Sequence, residues 1–160
     1  MKLLPKLLEN QVYEIFPKMT EEDLFEDNII YDTCSISVFQ NWNFMSENVD
    51  LDLFTDLNKT IYFNKVLSFL KELYNNYSVY SFFEALHGGR ALLTFSSEEE
   101  YLEWVDLSIK ERLFLRLIIP ELKVIINGGY DYTLPTFLTK DADITLLEKI
   151  VREHGLYILK

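Results

Sequence analysis

Two histidines, one cysteine and 26 carboxylates are the side chains through which this chain of 160 residues could run acid–base or nucleophilic chemistry. A Ser-His-Asp or Cys-His mechanism needs a base beside its nucleophile. His87 stands in "LHGG" and reads as a residue closing an element. His154 stands in "REHG", the last turn of an expected helix, where a cation suits the dipole. Cys34, in "CSISVF", reads as a core side chain. No G-x-S-x-G, phosphate-cradling glycine loop or H-E-x-x-H occurs. A lone cysteine excludes an internal disulfide and a cysteine metal cluster. "VDLDLFTD" opens with alternate acids like a calcium loop, but it lacks the central glycine, and Leu53 and Phe54 fill its middle. A glycosidase-type carboxylate pair cannot be picked out by spacing alone. The expectation is a protein that is not an enzyme, with no catalytic residues, no metal and no cofactor.

Charge carries more information. The net charge is −11, and the window from Thr20 to Asp56 contains no lysine or arginine. That window holds Glu21, Glu22, Asp23, Glu26, Asp27, Asp32, Glu47, Asp50, Asp52 and Asp56, so the rest of the chain is close to neutral. Such a surface repels phosphate backbones and anionic lipid, so neither direct nucleic-acid binding nor membrane binding is expected. It attracts cations and basic proteins. Two readings stay open: a solvated acidic face that maintains solubility, or a docking surface for a basic partner. In the second, Trp42 supplies an aromatic anchor.

"IINGGYDYTLP" holds two of the five glycines. Asn-Gly and Gly-Gly tolerate positive φ and signal a hairpin turn. The strand "KVIIN" would return as "YDYTL", with Tyr130 and Tyr132 on one face and Asp131 on the other. These tyrosines either cover the core or form a rigid interface element.

The elements that must position these residues follow from periodicity and punctuation. Apolar positions from Pro5 to Phe16 repeat as one helix face, ended by Pro17. "TEEDLFEDNII" begins with a threonine cap and acids in the first turn. "CSISVF" predicts a strand, and "NWNFMSENVDLDLF" a loop with a strand fragment. A helix is predicted from Lys59 to Tyr74. "SVYSFFEAL" is ambiguous between helix and strand. "RALLTF" predicts a strand, and "SSEEEYLEW" a helix capped by Ser96 or Ser97, whose three glutamates suit its N-terminus. "SIKERLFLRLII" predicts a further helix, capped by Ser108 and stopped at Pro120. "KVIIN" and "YDYTLPTFL" predict strands, with Pro135 placing the second at a sheet edge. "DITLLEKIVREHG" predicts a helix stopped by Gly155, and "LYILK" a terminal strand.

The pattern is helix-rich first, then strands and helices mixed. It predicts a single α+β domain over residues 1–160, with a mixed or antiparallel sheet packed by helices. A hydrophobic fraction of 49% suffices for a core. Pro5, Lys6, Glu9 and Glu14 interrupt any leader-like apolar run, and no run is long enough to span a bilayer. A cytoplasmic location is expected.

A small, acidic, single-domain α+β chain without catalytic signatures resembles the bacterial immunity proteins of contact-dependent growth inhibition and related polymorphic toxin systems. The resemblance rests on general character, chiefly the base-free window from Thr20 to Asp56. It implies a non-catalytic inhibitor that binds and neutralises a basic cognate toxin domain, such as a nuclease. The expected partner-binding residues are Glu21, Glu22, Asp23, Glu26, Asp27, Asp32, Trp42, Asp50, Asp52, Tyr130, Asp131 and Tyr132. The alternative is a small-ligand protein or enzyme with a pocket between sheet and helices.

Overall fold

The computed structural model describes residues 1–25, 30–40, 55–84, 89–110, 115–128 and 132–160. Its chain runs β1 (Lys2–Leu3), α1 (Lys6–Ile15), α2 (Glu21–Phe25), β2 (Tyr31–Ser37), α3 (Asp56–Asn76), β3 (Tyr80–Glu84), β4 (Arg90–Thr94), α4 (Glu98–Ile109), β5 (Arg116–Ile119), a 3-10 turn (Pro120–Leu122), β6 (Val124–Asn127), β7 (Thr133–Thr139), α5 (Ile144–Glu153) and β8 (Tyr157–Leu159). The strands form one sheet in the order β1-β4-β3-β5-β6-β7-β2-β8. Every described pairing is antiparallel. The fold is a single α+β domain.

Strand alternation divides the core in two. Leu117, Ile119, Val124, Ile126, Leu134 and Leu138 point to the first face, where α3, α4 and α5 cover them with Phe69, Leu70, Tyr101, Val105, Leu147 and Val151. Their neighbours Ile118, Ile125 and Phe137 point to the second face, against Val12 of α1, Phe16, Met19 and Leu24 of α2. The central strands are thus apolar on both sides, which accounts for their unbroken hydrophobic runs.

Caps set the helix ends. Thr55 accepts from the Asn58 amide at 3.3 Å and Ser97 from the Glu100 amide at 3.2 Å. Asp143 accepts from the Thr145 and Leu146 amides. Gly155, at φ 67°, closes α5: its amide bonds the Arg152 carbonyl and the Leu156 amide reaches Val151, a Schellman ending. The expected glycine stop is therefore present.

Three expectations are corrected. The helix predicted from Ser108 to Pro120 is absent: Ser108 and Ile109 complete α4, and Arg116–Ile119 is β5. An apolar run buried on both faces mimics a buried helix in periodicity. Pro135 is not on an edge strand, because β7 lies between β6 and β2. However, the β6 ladder stops at the Ile126–Thr136 pair, one residue short of the proline, which faces Ser35 of β2. The missing amide is therefore tolerated where one neighbour has ended. Finally, the return strand starts at Thr133, and Tyr132 precedes it in the left-handed region at φ 57°. The alternation proposed for "YDYTL" does not apply to it.

Candidate functional site

The chain leaves α1 at Phe16, buries Met19 and enters α2 through a reciprocal cap. The Thr20 hydroxyl accepts from the Asp23 amide at 3.1 Å, and the Asp23 carboxylate accepts from the Thr20 amide at 3.1 Å. This is a capping box with aspartate in the glutamate position. Burial pushes the Asp23 carboxyl up, but the two Thr20 hydrogen bonds outweigh it and hold it below the usual range. Asp23 thus serves the fold, while Glu21 and Glu22 stay exposed.

Beside them stands Glu84 of β3. Its carboxylate accepts from the Glu21 amide at 3.4 Å and lies 3.9 Å from Arg90 across the hairpin. Beneath this corner is Arg116, only 3% exposed. Its Nε donates to Asn127 Oδ1 at 3.0 Å, another guanidinium N–H donates to the Met19 carbonyl, and its plane lies 5.5 Å from the Phe82 ring centre. Burial lowers the Arg116 pKa, and the charges of Glu84, Glu21 and Asp23 oppose that shift. A buried arginine stays charged. It ties the start of α2 to β5 and β6 and offsets part of the charge above it. The corner can present carboxylates to a cationic surface from a braced backbone.

Among the described residues, Asp32 and Tyr132 lie away from this corner. Asp32 is exposed on β2 and paired with Lys140. Tyr132 packs against the first-face core, its ring 5.7 Å from that of Tyr62, which lies 5.4 Å from Phe39. This tyrosine covers the core, one of the two readings of the turn. The structure gathers Glu21, Glu22 and Asp23 on the second face and sets Tyr132 on the first. Glu26, Asp27, Trp42, Asp50, Asp52, Tyr130 and Asp131 lie outside the described residues, as does His87. Sequence reasoning missed Glu84 and Arg116. The one visible signal was an arginine inside the apolar run "LFLRLII"; nothing local pointed to Glu84.

Of the nucleophile and base candidates, Cys34 and His154 lie among the described residues. Cys34 is buried on the first face, and burial pushes its thiol up to about 11. His154 ends α5, with Nδ1 2.9 Å from the Ser68 hydroxyl and its ring edge-on to Phe69. Among the described residues, no group of three His, Cys, Asp or Glu side chains is placed to hold a metal ion. No described helix is long and apolar enough to cross a membrane. A cleft between the sheet and helices α3 and α4 is walled mainly by aliphatic side chains such as Val66, Leu70, Leu117 and Leu134, with Ser108 at its side.

No family model, no curated protein and no solved structure matches this chain.

Proposed function

We propose that this chain is a non-catalytic immunity protein that binds and neutralises a basic toxin domain through an acidic surface centred on α2. The observation that carries this reading is the corner formed by Glu21, Glu22 and Glu84, exposed or half-exposed above the buried Arg116. Carboxylates held on a fixed backbone favour a cationic partner by steering and by register. The net charge of −11 supports the same sign of partner. The burial of Cys34 and the capping position of His154 fit a role without turnover.

The test is co-expression with the product of the neighbouring gene. The full chain is expected to co-purify with that product and restore growth. The Glu21→Lys, Glu22→Lys double variant is expected to lose both effects while remaining folded by its amide spectrum, at some cost in melting midpoint because both acids suit the α2 N-terminus. Absence of both complex and rescue with the unaltered chain would overturn the reading.

A further inference from the structure

The second face carries another feature at the opposite end of the same strands. A groove of about 350 Å³ lies between α1, the start of β3 and the turn at Pro120–Leu122. This is within the range of pockets that hold small ligands or single side chains. Its walls are Leu8 and Ile15 of α1, Tyr80 of β3 and Pro120, while Gln11 and Glu121 supply polar groups. Leu8 is 39% exposed although α1 packs by its other side on the sheet. Glu121 is fixed in place: one carboxylate oxygen accepts from the Ser78 amide at 3.0 Å. Among the described residues, no cation is paired with its other oxygen.

We propose that this groove takes a lysine or arginine side chain of the partner protein, an inference that rests on the function proposed above. A long cationic side chain has an apolar stem and a charged head. The leucine, isoleucine, tyrosine and proline walls match the stem, and the carboxylate matches the head. A second copy of this chain is a poor occupant, because each copy carries −11. The groove lies on the same face of the sheet as the acidic corner. Tyr80 and Glu84 point to the same face of β3, four residues apart, or about 13 Å at the rise of a strand. One basic protein surface can therefore place charges over Glu21 and Glu22 and insert a side chain beside Glu121.

The experiment is a titration of the full chain with N-acetyl-arginine amide, followed by amide chemical shifts. The expected result is saturable shifts at Leu8, Ile15, Ser78 and Tyr80. Glu121→Gln retains a carbonyl to accept the Ser78 amide, so the fold is kept. It is expected to weaken binding about three- to fivefold, the scale of a partly exposed ion pair. N-acetyl-norleucine amide, which has the stem without the charge, is expected to bind more weakly than the arginine compound. No shifts at the groove, equal binding of the norleucine compound, or unchanged affinity in Glu121→Gln would each overturn the proposal. If the groove fails while Glu21→Lys with Glu22→Lys still abolishes the toxin complex, the groove alone is wrong and the acidic-surface reading stands.

Discussion

The two faces of the sheet are built differently. The first is covered by three helices, and its core is almost wholly apolar, with Phe69, Leu73, Tyr101 and Val151 entirely buried. Buried hydroxyls on this face are bonded within the fold: Tyr101 donates to the Leu70 carbonyl at 2.8 Å and Thr136 to the Leu134 carbonyl at 3.0 Å, and the Tyr101 ring stacks on Tyr74 with 4.5 Å between ring centres. The second face is covered by α1 and the five-residue α2, and it buries a charge, Arg116, among its apolar groups. It also leaves Leu7 and Phe25 largely exposed. The contrast separates two tasks. The first face supplies stability by close packing, and the second accepts a buried cation and exposed apolar groups to hold a surface in position.

Substitutions on the two faces should have unequal effects. The largest effect is expected on the first face: Phe69→Ala removes a fully buried ring beneath α3. It should cost about 3–5 kcal/mol by denaturant unfolding, and a cost under about 1 kcal/mol would mean that this face does not dominate stability. Next comes Arg116→Met, which leaves the Asn127 and Met19 oxygens without that donor. A loss of about 2–3 kcal/mol is expected, with faster amide exchange in α2 than in α4. Uniform exchange in both helices would deny Arg116 its bracing role.

Gly128→Val ranks third. Gly128 is not in the left-handed region, and its reason is proximity: an added Cβ would collide with the Ser108 hydroxyl and stand 3.3 Å from Leu115 Cβ. Overpacking of about 1–2 kcal/mol is expected, relieved in part by Ser108→Ala in a double-mutant cycle. Additive costs would place the strain elsewhere. The smallest effect concerns Cys34. The unfolded thiol loses its proton near its ordinary value of 9.0, while burial holds the native one to about 11. Between those values the unfolded state binds fewer protons, so stability falls as pH rises through this window. By pH 10 the native chain should lose about 1 kcal/mol more than Cys34→Ala, measured by urea unfolding at pH 8 and pH 10. Parallel losses would show that Cys34 does not titrate in this way.

The difference between the faces also decides what could be read from the chain. Helix starts and stops are local, so Thr20, a serine at 96 or 97, and Gly155 declared themselves by residue type and position, and the structure places the cap at Ser97. The hairpin between β6 and β7 was likewise visible in "NGG". Arg116–Ile119 was mistaken for helix because a strand buried on both sides has no polar alternation to betray it. The acidic character of α2 was legible. Its neighbours were not: Glu84 and Arg116 reach α2 from 63 and 97 residues away in the chain, and only sheet order brings β3 beside β5. Charge count alone made one window of the acids. The fold assigns Asp23 to a cap and Asp32 to Lys140, and leaves Glu21 and Glu22 exposed.

The central claim is that the α2 corner, and not the acidity of the whole chain, recognises a basic partner. Its most direct test is the association rate with the product of the neighbouring gene, followed by stopped-flow fluorescence from low to physiological salt. Two variants of equal charge change are compared: Glu21→Lys with Glu22→Lys on α2, and Glu99→Lys with Glu103→Lys on the exposed side of α4. The unaltered chain should associate well above the unsteered rate of about 10⁵–10⁶ M⁻¹s⁻¹, and the gain should shrink as the Debye length falls from about 30 Å to 8 Å. The α2 variant should slow association at least tenfold at low salt, while the α4 variant should change it less than threefold. Equal slowing by both variants, or rates insensitive to salt, would contradict the central claim.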